Sequence, residues 1–155
     1  MIDLWENPGD YTSLMCHEML PAIAKDLSLQ CFWEYYGKVD AIFYEEKDTE
    51  NFPRDSVYAR YLSVALEHEN IIGGTHVEMN KLQLFNTPLK VLITYAMPAD
   101  HQCFLQRYSR IVQTADIFND FASLRKQLVI IGSISSDRVL WNSYVYGCSG
   151  FTALA

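Results

Sequence analysis

Glu67 and Glu69 are separated by one residue. On a strand both carboxylates point to one face of a sheet and His68 points to the other. Asp40 opens an earlier strand-like run, Val39 to Tyr44, and a meander would lay it beside the two glutamates. Three acids on one face repel one another unless a cation sits between them. Mg²⁺ and Mn²⁺ take carboxylate oxygens, and Mg²⁺ typically uses one or two carboxylates with water and substrate phosphate. Such an ion activates water and polarises a phosphodiester. Glu18, in a helix-like stretch near the N-terminus, can reach the same region if that helix packs on the sheet. Each acid also has an ordinary explanation. Surface carboxylates are mostly solvated, Asp40 follows a Gly37-Lys38 turn signal, and Glu18 suits a solvated helix position.

The elements that must position these acids follow from the chain on either side. Asn7-Pro8-Gly9-Asp10 is a turn with Asp10 as a helix cap, and the apolar stripe Tyr11, Leu14, Met15, Met19, Ala22, Ile23 predicts a helix over 11–26. Pro21 should kink it or mark a break. Leu29 to Tyr36 and Val39 to Tyr44 read as a hairpin, and Glu45 to Asp55, charged and containing Pro53, reads as an exposed loop. The run ending at Leu66 reads as a third strand carrying Glu67 and Glu69. Thr75-His76-Val77-Glu78 fits a capping box at the start of a helix that Thr87-Pro88 terminates after about Phe85. Leu89 to Tyr95 is a continuous apolar run, as expected of a strand covered on both faces. Residues 101–127 read as helix with an interruption near 113–115, residues 127–134 and 139–146 as two strands, and the tail from Cys148 carries no signal. The helix between the third and fourth strands implies a crossover and a parallel pair. The expectation is one α/β domain over 1–155, with a mixed central β-sheet flanked by helices.

Val39-Asp40, with Leu66-Glu67-His68-Glu69-Asn70 beginning 26 positions after Asp40 in an αβββαβ frame, resembles the PD-(D/E)xK, or restriction-endonuclease-like, nuclease superfamily over roughly residues 10–96. The resemblance implies a Mg²⁺- or Mn²⁺-dependent nuclease in which Asp40 and Glu67 match the metal-binding acids. Glu69 stands where the catalytic lysine of the family usually is, a departure that some restriction enzymes share. Lys81, on the next helix, is the candidate for a displaced amine. Asp40, Glu67 and Glu69 are thus the implied catalytic residues, and Asp40, Glu67 and Glu18 the candidate metal ligands. The competing expectation is an inactive module of the same fold that binds nucleic acid or a protein partner. Many nucleases cut two strands as dimers, so a homodimer is a further implication.

Composition bounds these readings. The 155 residues are half hydrophobic, too apolar for a disordered chain, and carry a formal charge of −7. Such a charge disfavours indiscriminate coating of nucleic acid. It is unevenly spread: residues 1–80 hold 15 acids and 5 bases, and residues 81–155 hold 4 acids and 7 bases. Arg107, Arg110, Arg125, Lys126 and Arg138, with nearby aromatics, suggest an anion-facing surface in the second half. The aromatics Trp141, Tyr144 and Tyr146 do not share one face, because their parity differs. No apolar run reaches the roughly 18 residues of a membrane span. Cys16, Cys31, Cys103 and Cys148 form no CxxC pair, and the N-terminus lacks a signal-peptide pattern. A cytoplasmic protein with reduced thiols is the expectation.

Overall fold

The computed structural model describes residues 8–35, 39–52, 56–59, 61–118, 120, 123–135 and 138–154. The Asn7 turn, the Gly37-Lys38 turn and Pro53 lie outside what is described, whereas Asp10, expected to cap the first helix, lies inside it, because the helix already begins at Pro8. Helix α1 (Pro8–Leu14) and helix α2 (Leu20–Asp26) are joined through a π-type turn, Met15–Met19. The Leu20 amide donates to the Met15 carbonyl, and this wider turn admits Pro21 without breaking the rod. The proline expectation therefore resolves into a bulge.

Among the described residues nine strands follow. β1 (Gln30–Tyr35), β2 (Val39–Tyr44) and β5 (Val64–Glu69) form an antiparallel meander. Between β2 and β5, the stretch expected to be loop is instead a small separate hairpin, β3 (Thr49–Phe52) with β4 (Ser56–Ala59). Helix α3 (Thr75–Leu82) crosses from β5 to β6 (Leu89–Tyr95), and helix α4 (His101–Ala115) crosses from β6 to β7 (Lys126–Ser135). Both crossovers give parallel pairs. β8 (Arg138–Gly147) and β9 (Gly150–Ala153) close the edge antiparallel. The sheet order is β1-β2-β5-β6-β7-β8-β9, a seven-stranded mixed sheet flanked by helices.

Two segments differ from the sequence expectation. α4 stops at Ala115, because the Asp116 carboxylate accepts the Asp120 amide at 2.8 Å and turns the chain. The tail from Cys148 is ordered as β9, since Gly147 pairs with Gly150 around a two-residue turn. Gly150 has φ +100°, a conformation that favours glycine.

The sheet has two apolar faces. Ile42, Tyr44, Ala65, Leu92, Val129 and Ile131 pack against Met79 and Leu82 of α3 and Leu105, Tyr108 and Val112 of α4. Ala41, Phe43, Leu66, Val91 and Ile93 pack against Tyr11, Met15, Leu20 and Ala24 of the N-terminal helix. Each fully buried Leu or Met contributes about 1.5–3 kcal/mol by transfer from water. β6, central and covered on both sides, is buried from Lys90 to Tyr95, which explains its unbroken apolar run. Among the described residues no helix is long and apolar enough to cross a membrane. The four cysteines are free thiols.

Candidate active site

Asp40 and Glu67 are neighbours across the β2–β5 ladder, one position beyond the paired Ala41 and Leu66. By alternation both side chains project onto the α3 side of the sheet. The Asp40 Oδ2 accepts the backbone amide of His68 at 2.8 Å, which fixes the carboxylate. The two carboxyl groups meet closely enough to share a proton. Glu67 is 1% exposed. From α3 the Lys81 Nζ reaches Glu67 Oε1 at 2.8 Å and also pairs with Glu78, one turn earlier.

Burial sets the electrostatics. It pushes the Glu67 carboxyl up to about 9, against the pull of the Lys81 ammonium and with added repulsion from Asp40 and Glu78. Asp40 is raised for the same first reason, although its bonds to His68 and Glu67 oppose the rise. Burial lowers the Lys81 ammonium, but its bonds to Glu67 and Glu78 outweigh that and hold it above the ordinary lysine range. Near neutral pH Glu67 therefore keeps its proton beside a cationic amine.

Glu69 and Glu18 are placed elsewhere. Glu69 Oε1 accepts the Ile71 amide at 2.7 Å, and its other oxygen lies 3.1 Å from where a Cβ on Gly74 would sit. The carboxylate thus braces the loop before α3, and Gly74 leaves it room. Glu18 is exposed on the π-type turn, in the helix that covers the opposite sheet face. Among the described residues no cluster of three or more His, Cys, Asp and Glu has the spacing of a metal site. The expected three-acid arrangement reduces to a pair with a lysine. That pair still fits a hard cation by its chemistry, because Mg²⁺ needs only one or two carboxylates when water and phosphate complete its shell. A cation arriving there would displace the shared proton.

The Thr75–Glu78 capping box is not formed. Gly74 is the residue before the helix, the Thr75 hydroxyl donates to the Ile72 carbonyl at 2.8 Å, and Glu78 turns to Lys81. The hydroxyl of Tyr108 donates to Thr75 Oγ1 and so ties α4 to α3. On the other sheet face His68 Nε2 lies 3.0 Å from the Tyr95 hydroxyl, which is hydrogen-bonded to the Tyr11 hydroxyl. Burial lowers His68 to about 4, so it is neutral. Arg107 and Arg110 are exposed on α4, and Arg125 pairs with Asp120 at 3.6 Å. Trp141 packs on Tyr95, whereas Tyr144 contacts His101 on the other face, as parity requires. Sequence reasoning missed Glu78 as a partner in the site, although its i,i+3 spacing to Lys81 was the available signal. No known protein-family model and no curated protein sequence matches the chain.

Proposed function

We propose that the chain is a metal-dependent phosphodiesterase of the restriction-endonuclease-like type acting on nucleic acid, with Asp40 and Glu67 as the metal-binding acids and Lys81 as the catalytic amine. The observation that carries this reading is the 2.8 Å approach of Lys81 Nζ to Glu67 Oε1 beside Asp40. It supplies, from α3, the cation that Glu69 cannot supply from β5. The order helix, three antiparallel strands, helix, parallel strand agrees with the same reading. Mg²⁺ or Mn²⁺ bound by Asp40 and Glu67 supplies a Lewis acid and a water of lowered pKa. Lys81 compensates the negative charge that builds on the phosphate, and while the site is metal-free it balances the two acids. The His68 amide holds Asp40 in orientation.

Purified protein should cleave DNA or RNA, single- or double-stranded, in Mg²⁺ or Mn²⁺. Asp40→Asn, Glu67→Gln and Lys81→Met should each lower the rate by about 100-fold or more. Glu69→Gln and Glu18→Gln should stay close to wild type. Absence of metal-dependent cleavage on all four substrate classes would overturn the reading. The near-complete burial of Glu67 favours a second one, in which the Glu67–Lys81 pair is structural and the domain binds nucleic acid or a protein without cutting. That reading requires that Mn²⁺ fail to bind.

A further inference from the structure

At the carboxyl ends of β6 and β7 a cavity of about 310 Å³ opens between the sheet and the start of α4. Phe104 supplies an aromatic wall, Tyr95, Gly132 and Ile134 line an apolar side, and Asn70 and Asp100 add polar groups. Its size is at the lower limit of about 300–1,000 Å³ for small-molecule sites, enough for one heterocycle and too little for a peptide. Open α/β sheets bind ligands at this end of their strands. The Tyr95 ring lies against Gly132, where a Cβ would fall 2.6 Å from Tyr95 Cδ1. Its hydroxyl is committed to Tyr11 and His68 on the face covered by the N-terminal helix.

We propose that this cavity receives a nucleobase carrying an exocyclic amino group, adenine above all. The inference deepens the nuclease reading and rests on it for the position of the phosphate. The Phe104 wall can stack any base. The amino group is selected by acceptors: the Asp100 carboxylate, and the Asn70 amide, whose Oδ1 is buried without a hydrogen-bond partner among the described residues. The terminal torsion of an asparagine is broad, so a modest rotation turns that amide to an incoming base. An asparagine amide pairs with adenine through both of its groups. Asp100 repels phosphate, which directs the anionic end of a nucleotide away from the cavity. Asn70 lies three residues beyond Glu67, about 10 Å along the strand direction. A base in the cavity therefore belongs to a nucleotide at or next to the one held at the carboxylate pair.

Titration of the full chain with AMP, CMP, GMP and UMP in EDTA, followed by calorimetry and saturation-transfer NMR, tests the site without cleavage. AMP should bind with a Kd of about 1 mM or tighter, and UMP more weakly. Phe104→Ala should weaken AMP by about tenfold or more, and Ile134→Trp, which plugs the mouth from an exposed position, should abolish binding. An adenine oligonucleotide binding more tightly than AMP assigns the site to a strand, and equal affinities assign it to a free nucleotide; either result supports the base pocket. No AMP binding at about 10 mM, or AMP binding that survives Ile134→Trp, overturns it. AMP binding in a protein that cleaves nothing would remove the nuclease reading and leave the pocket, whereas cleavage without AMP binding would do the reverse.

Discussion

Lys81 Nζ stands 2.8 Å from Glu67 Oε1, bringing an amine from the flank of α3 onto a carboxyl group that is 1% exposed at the end of β5. Removing one member of a buried pair costs more than the pair contributes, because the other charge is stranded. Glu67 escapes part of that cost by keeping its proton, and Lys81 is itself partly exposed. Lys81→Met should therefore destabilise by about 1–3 kcal/mol, below the 3–5 of fully buried pairs. Glu67→Gln, which keeps the shape of the protonated carboxyl and changes only its hydrogen bonding, should cost about 1 kcal/mol. Urea unfolding of the single variants and the double variant measures the coupling. Strict additivity would show that the two side chains do not interact.

Proton uptake by Glu67 makes stability depend on pH. Its carboxyl, raised by burial to about 9, keeps a proton that the unfolded chain releases above about 4.5. Its contribution is complete below that pH and declines as pH rises to about 9. His68, lowered by burial to about 4 from 6.5, works oppositely, and its contribution grows across that interval. Lys90, lowered by burial to about 8, adds stability with rising pH only above that value. Glu67 therefore dominates from about pH 6.5 to 8. In EDTA the unfolding free energy should fall through this window, by at most about 1.4 kcal/mol per pH unit. Glu67→Gln should flatten the slope. Parallel slopes for the two proteins would reject the shared-proton pair.

What the sequence made legible is the frame, and what it hid is the direction of side chains at its edges. β6 was readable because burial on both faces demands an unbroken apolar run. The Asp40–Glu67 contact was readable because alternation and a meander leave few registers. Glu69 shares the parity of Glu67, yet it turns to the Ile71 amide, a local bond that parity does not encode. The Thr75–Glu78 pattern suggested a cap, but Lys81 three residues on competes for the same carboxylate and wins. β9 was hidden because a four-residue edge strand with two flanking glycines carries little hydrophobic period.

Metal binding separates the two functional readings without a substrate. A ligand that binds only the folded state raises the melting temperature with its concentration. Mn²⁺ should do so for wild type, adding about 2.7 kcal/mol at a hundredfold excess over Kd. Asp40→Asn and Glu67→Gln should lose the shift, and Glu69→Gln and Glu18→Gln should retain it. Because the ion displaces a proton held by Glu67, the shift should grow as pH rises from 6 to 8. Differential scanning fluorimetry in Mn²⁺ and in EDTA reads each of these. A wild type indifferent to Mn²⁺ points to the non-enzymatic module.

Gly132 tests how rigidly the Tyr95 ring is held. An added Cβ would fall 2.6 Å from Tyr95 Cδ1 and 3.0 Å from Trp141 Cζ3, closer than packed atoms tolerate. Trp141 is partly exposed and can shift outward. Tyr95 is buried, and its hydroxyl is anchored to Tyr11 and to His68 Nε2, so its ring has little room to swing. Gly132→Ala should therefore destabilise by about 1–3 kcal/mol through overpacking. Tyr95→Phe keeps the ring and releases its anchors. In that background the alanine should cost less, with a coupling of about 0.5–3 kcal/mol in a urea double-variant cycle. The same cycle with Trp141→Phe should show little coupling. If Gly132→Ala costs the same with and without the Tyr95 hydroxyl, the Tyr11–Tyr95–His68 chain does not fix the ring.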